Sequence, residues 1–147
     1  MDIQIISIAA SLLMSLAALA FSVITFNASV RHQRKKDTID AFNTLQNDAL
    51  DPLLGFTKKQ IEAVAMDPRG DEYKTVSRYL YRIEHFCVGV QNGIYDTDTL
   101  KRLVGTSFSY IYTKLEPIIQ KKRTISGSSD GINYKSFEEV AKDLRTS

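Results

Sequence analysis

Three consecutive cations, Lys121, Lys122 and Arg123, precede a stretch rich in glycine and serine, and Tyr134 stands just beyond it. Ammonium and guanidinium groups bind phosphate oxygens, the backbone amides of Ser126-Gly127-Ser128-Ser129-Asp130-Gly131 can wrap the same oxygens, and a tyrosine ring can stack on a base. Lys121, Lys122, Arg123 and Tyr134 are therefore the candidate ligand-binding residues, suited to a phosphate-rich species. The plainer reading is a helix C-terminus whose dipole is compensated by cations, followed by a polar loop.

Other chemistry is sparse. The chain has no glycine-rich phosphate loop, no G-x-S-x-G elbow and no H-E-x-x-H. Its two histidines, His32 and His85, are not spaced to share a metal. Glu84 and His85 point about 100° apart on a helix, so they form no acid/base pair, and they read as a surface carboxylate and a partly buried imidazole. Cys87 falls on an apolar stripe and reads as a small core residue. No catalytic residue, metal ligand or cofactor is expected, and the chain does not read as an enzyme.

The element that organises these residues is the uncharged stretch from Ile3 to Val30, followed at once by Arg31, His32, Arg34, Lys35 and Lys36. A bilayer core about 30 Å thick is crossed by roughly 20 apolar residues, so 1–30 reads as one transmembrane helix and 31–36 as a basic membrane-proximal collar. A buried soluble helix and a cleaved signal peptide are the alternatives. Ala18-Leu19-Ala20 looks like a cleavage site, but no lysine or arginine precedes it. By the positive-inside rule the collar stays cytoplasmic, against anionic lipid, which makes 37–147 a cytosolic domain of a single-pass inner-membrane protein. The single cysteine agrees with a reducing compartment.

Ser7, Ser11, Ser15, Ala18, Ser22, Thr25 and Ser29 follow one another at steps of three or four, a stripe of small side chains along the whole span. Small residues let helix backbones approach, and hydroxyls bond across the contact or back to their own i−4 carbonyl. The stripe points to self-association. Pore lining and merely tolerated serine are the other readings.

Beyond the collar the pattern is all-α, a small helical bundle with room for one core. Ile39, Phe42, Leu45, Ala49 and Leu53 continue the first helix until Asp51-Pro52 interrupts it, and a second helix is expected from Pro52 to about Met66, with Leu53, Leu54, Ile61 and Val64 inward. Asp67-Pro68-Arg69-Gly70 suits a type I turn. Tyr73, Val76, Leu80, Ile83, Cys87 and Val90 form the best-patterned helix, closed by Asn92-Gly93. Gly89 suits either close helix packing or nothing more than helix termination nearby. Asp96 or Thr97 caps a helix with Leu100, Leu103, Val104, Phe108, Ile111 and Leu115 on one stripe, and Pro117 should kink it or start a new segment. Ser136-Phe137-Glu138-Glu139 matches a capping box opening a last helix with Phe137, Val140 and Leu144 inward.

The run Ile83-Glu84-His85-Phe86-Cys87-Val88-Gly89-Val90-Gln91-Asn92-Gly93-Ile94-Tyr95-Asp96 resembles an uncharacterised bacterial family of small membrane-anchored proteins with a helical domain of unknown function. In that family a glutamate-bearing hydrophobic helix leads into a V-G-hydrophobic-x-x-G-x-x-D step. Leu115-Glu116-Pro117-Ile118-Ile119, Arg123 and the Phe137-Glu138 pair extend the match, while Tyr81 departs from the usual asparagine. The resemblance implies a helical fold and assigns no catalytic residue.

The architecture also resembles small membrane effectors of bacterial antiviral systems, including one associated with type III CRISPR whose cytosolic domain binds cyclic tetra-adenylate. That likeness implies a nucleotide-gated homo-oligomer and carries no binding residue across. The expected function is thus a membrane-anchored defence effector that oligomerises, senses a cyclic oligoadenylate and perturbs or opens the membrane. The alternative is a non-enzymatic scaffold that recruits a cytosolic protein. Lipid, a second copy and cyclic oligoadenylate are the expected partners. A net charge of +2 is too small for a protein that coats DNA.

Overall fold

The computed structural model describes residues 2–125 and 134–145, with side chains from Ser7 on except Ala9. Among these residues the chain is all-helical, without a strand. It divides into two compact units, 1–36 and 37–147.

Helix α1 runs from Asp2 to Leu45. Its N-terminal part is long and apolar enough to cross a membrane, and the large side chains there, Leu13, Met14, Phe21 and Phe26 among them, are exposed. A soluble core helix would bury such residues against its own chain, so the exposure leaves the apolar surface to another solvent or another molecule.

In the second unit, Thr38, Phe42 and Leu45 of α1 are buried. The helical path does not stop at Asp51-Pro52. A π-helical turn, Gln46–Leu50, leads directly into α2, Asp51–Leu54. Leu50 and Asp51 keep helical backbone angles, and the Asp51 N–H donates to the carbonyl of Gln46, five residues back. The wider turn opens the helix where the proline ring would strike a carbonyl, which is why Pro52 does not break the path and Asp51 is no N-cap.

The expected helix from Pro52 to Met66 is cut by Gly55-Phe56-Thr57. Thr57 caps α3, Lys58–Met66: its Oγ1 accepts from the Gln60 N–H at 3.3 Å, and Gln60 Oε1 accepts from the Thr57 N–H at 2.7 Å. Leu54 is consequently 50% exposed, not inward. The buried ammonium of Lys114 donates to the carbonyls of Leu53 and Leu54 at 3.1 and 3.2 Å, satisfying the end of α2.

The Asp67–Gly70 turn closes with the Gly70 N–H on the Asp67 carbonyl at 3.1 Å. Helix α4, Asp71–Gln91, buries Tyr73, Val76, Leu80, Ile83, Cys87 and Val90 as its spacing requires, with Phe86 besides. Gly93 ends it at φ +69, a region open to glycine. Gly89 is needed for a close approach, since a Cβ there would stand 2.5 Å from the Tyr95 ring, which stacks on Phe86 at 4.9 Å.

Asp96 caps α5, Thr97–Val104, accepting from the Thr99 N–H at 2.8 Å, and its own N–H donates to buried Thr38 of α1 at 2.7 Å. Gly105, at φ +48, then separates α5 from α6, Ser107–Ile125, so the expected single stripe is two helices and Leu103 is 41% exposed. Helix α6 runs through Pro117 unbroken. The last helix, α7, Lys135–Arg145, buries Phe137, Val140 and Leu144 and packs on α4 and α6. The edges of Phe108 and Tyr112 meet Phe137 at 5.2 Å each.

Candidate ligand-binding site at the end of α6

The face that α6 buries is set by Ile111, Leu115, Ile118 and Ile119, and the next position on it is Lys122. The three cations therefore do not share a surface. Lys122 extends the apolar stripe, and its ammonium lies over two aromatic faces, 5.7 Å from the Tyr73 ring centre and 5.9 Å from that of Tyr134. The ring faces attract the charge. Burial pulls its pKa below the usual lysine value. Among the described residues, no carboxylate pairs with it.

Arg123 turns to α7. Its guanidinium donates to Glu138 at 2.9 Å, and its side chain is only 16% exposed. Glu138 also accepts from Lys142 at 2.6 Å, and the hydrogen bonds from Lys142 and Arg123 pull its pKa down to about 2. Lys121 is half-buried.

Tyr134 stands immediately before α7 at φ +66, and its ring is buried in the core. Desolvation, with Tyr73 and Glu84 nearby, pushes its pKa up to about 12. A base could stack on this ring only by displacing its neighbours, so Tyr134 orders the site from within and offers no open platform. The Ser126–Gly131 stretch, expected to wrap a phosphate, lies outside the described residues. The structure thus brings Lys122 and Tyr134 together, ties Arg123 to α7 and leaves Lys121 apart from them.

Glu84 has a role that sequence reasoning missed. It is half-buried on α4, and its two carboxylate oxygens accept from the backbone N–H groups of Ser136 and Phe137, at 3.1 and 2.8 Å. Those are donors of the first turn of α7, which lack partners within the helix. The expected Ser136–Glu139 capping box does not form, because Ser136 is already inside α7 and its N–H is taken by Glu84. Glu139 instead accepts from Gln91 at 2.6 Å and pairs with Lys135. Glu84, Arg123, Phe137 and Glu138, recognised separately as parts of one sequence pattern, form a latch joining α4, α6 and α7. Their joint occurrence was the only sequence signal of it.

His85 is exposed, its ring 4.3 Å from that of Tyr81, and not partly buried. Cys87 is buried, and burial, with Glu84 nearby, raises its thiol pKa well above the ordinary value, so it is a poor nucleophile.

Two hollows adjoin these residues. A groove of about 460 Å³ between α1 and α4 is lined by Leu45, Asp48, Tyr81, Arg82, His85 and Tyr95, with Arg82 donating to Asp48 at 2.6 Å. A cavity of about 350 Å³ is lined by Pro68, Arg69, Tyr73, Lys122 and Ile125. It adds Arg69, which the sequence marks only as part of a turn, to Lys122.

The small stripe of α1 is exposed at Ser7, Ser11, Ser15, Ala18, Ser22, Thr25 and Ser29. Ser11 and Ser15 donate to the carbonyls four residues back at 2.9 Å, and Thr25 does so at 2.8 Å. These hydroxyls satisfy themselves within the helix, leaving small side chains to permit close approach.

A family model described as a domain of unknown function, DUF4760, matches residues 5–144. No curated protein and no solved structure matches the chain.

Proposed function

The chain belongs to the DUF4760 family, whose function is unknown, and from that premise we propose that it is a membrane-anchored, non-enzymatic effector that senses a phosphate-bearing signal. The apolar part of α1 holds the protein in the inner membrane, with the collar and the helical domain on the cytoplasmic side. Copies associate along the small-residue stripe. A cyclic oligoadenylate, bound by the domain, then shifts the packing of the spans and perturbs or opens the membrane, as in bacterial antiviral effectors.

The observation that carries this reading is Lys122. A partly buried ammonium over two tyrosine rings, with no carboxylate partner among the described residues, is suited to an anion. The test is calorimetry on the full-length protein in nanodiscs, titrated with cyclic tetra-adenylate and its shorter and longer relatives. Saturable binding, with a rise in the thermal midpoint of the domain, supports the reading.

A second reading is a scaffold that recruits a cytosolic protein. The groove between α1 and α4 favours it, because Tyr81 is 60% exposed and His85, whose ring is tilted against it, is exposed beside an apolar floor. Absence of binding by every cyclic oligonucleotide would put the scaffold ahead.

A further inference from the structure

We propose that the cavity between the Asp67–Gly70 turn and the end of α6 is an oxyanion subsite for a phosphate group, with Lys122 and Arg69 as its two cations. The site itself stands on the geometry, and only the identity of the larger ligand rests on the sensing role proposed above.

Four features converge on it. First, among the described residues its lining has two cations and no carboxylate. Of the acids on the adjoining turn and the start of α4, Asp71 pairs with Lys74 at 2.8 Å, Asp67 turns its carboxylate toward Gly70, where an added Cβ would meet it at 2.6 Å, and Glu72 is exposed. Second, the Lys122 stem leaves the buried face of α6 and its head lies over the Tyr73 and Tyr134 rings, which favour one placement of the ammonium. An ammonium ordered before binding loses less entropy when a ligand arrives.

Third, Gly70 caps α4 without a side-chain hydrogen bond, so the first-turn amides beside Arg69 have no side-chain acceptor at the N-cap. The first turn of α4 carries Asp71 and Glu72, which already oppose its positive end, so Arg69 and Lys122 supply the charge that offsets the negative end of α6. Fourth, the hydroxyls of Tyr73 and Ser77, one turn apart on α4, are buried without a hydrogen-bond partner among the described residues. Tyr73 lines the cavity, so one of these unused hydroxyls belongs to a residue of its wall. A volume of about 350 Å³ has room for a phosphate ester and part of what it carries.

The ligand class is a phosphate monoester, a phosphodiester or a lipid phosphate. Full-length protein in phosphatidylcholine nanodiscs is titrated with pyrophosphate and with cyclic tetra-adenylate, and a parallel set of discs contains phosphatidylglycerol. Arg69→Glu reverses one charge on an exposed turn, where folding does not depend on it. Lys122→Gln removes the other, and Lys122→Arg restores charge as a control. Both charge-removing variants should weaken pyrophosphate binding about tenfold or more, the loss expected when a charged hydrogen-bonding partner is removed. Circular dichroism should show unchanged helix content.

Equal pyrophosphate affinity in wild type and Arg69→Glu, or no binding by wild type in either kind of disc, overturns the subsite. Pyrophosphate binding lost in both variants, without cyclic tetra-adenylate binding by wild type, keeps the subsite and removes the cyclic oligonucleotide. Cyclic tetra-adenylate binding indifferent to both substitutions does the reverse. Competition of pyrophosphate by phosphatidylglycerol discs alone, abolished by Arg69→Glu, supports the subsite and identifies its source as a lipid headgroup.

Discussion

Replacing Glu84 with alanine should release α7 from the domain without unfolding the rest. The carboxylate accepts two backbone N–H groups at 3.1 and 2.8 Å, across 52 and 53 residues of sequence. A hydrogen bond to a charged group contributes about 1.5–3 kcal/mol and an N-cap about 0.5–2 kcal/mol. Water reaches the half-buried site once the side chain is truncated, so the expected cost is about 2 kcal/mol rather than the sum of both bonds. Glu84→Gln keeps one oxygen acceptor but turns an NH₂ toward the second donor, and should cost about half to all of that. The assay is hydrogen exchange by mass spectrometry on the full-length protein in detergent. About 2 kcal/mol corresponds to roughly thirtyfold faster exchange in α7 if it opens locally. Helix α3, which packs on α6, should keep its protection. Unchanged exchange in α7 would refute the cap, and uniform loosening of all helices would show that Glu84 supports the whole core instead.

Acid should weaken the Arg123–Glu138–Lys142 cluster in a defined window. Glu138 has a folded pKa near 2, below its ordinary value of 4.5, so its contribution is complete above about pH 4.5 and is lost as pH falls toward 2. Linkage sets an upper limit of about 3 kcal/mol, and exposure of Lys142 reduces it to about 1–2 kcal/mol. Glu138→Gln should flatten that part of the pH–stability curve, and an unchanged curve would sink the assignment. Gly89→Ala should destabilise the domain by about 1–3 kcal/mol through its clash with Tyr95. The cost should shrink in a Tyr95→Leu background, whereas strict additivity would exclude the contact as its cause. Lys114→Met keeps the buried stem and removes the ammonium from the Leu53 and Leu54 carbonyls, for an expected loss of about 1–3 kcal/mol in urea unfolding. Leucine at Ser11, Ser15 and Ser22 together should weaken crosslinked oligomers of the isolated span, and unchanged crosslinking would leave the serines merely tolerated.

Features set by local chemistry were legible in the sequence. The stripe of α4, the Asp67–Gly70 turn, the glycine end at Gly93 and the cap at Asp96 each depend on residues within one or two turns. The errors arose where a distant group intervened or a signal was overlooked. Ser136-x-x-Glu139 has capping-box chemistry, but Glu84 comes from another helix and satisfies the same donors. Thr57-x-x-Gln60 is a capping box in plain sequence that a simple apolar periodicity ran across. Gly105 likewise ends α5 within an apparently continuous stripe. The sequence suggests an interruption at Pro52 and a kink or new segment at Pro117, yet a π turn accommodates the first, and α6 continues through the second. In the candidate site, residue type was visible but direction was not. One helical residue of rotation separates Lys122, packed on two tyrosines, from Arg123, paired to α7. Arg69 joins Lys122 only in three dimensions.

The docking of α7 also bears on how the domain is made. Phe137 fills a site whose walls, Phe108 and Tyr112, belong to α6, while the carboxylate that caps α7 belongs to α4. Chains emerge from the ribosome N-terminus first, so those walls and that carboxylate are synthesised before the segment that covers them. For that interval the nascent domain exposes an aromatic cleft and an unused anion at a position where, in the finished fold, both are covered. A chain interrupted before Lys135 would keep that cleft, and chaperones or proteases that bind exposed aromatic surface could tell it from a completed one.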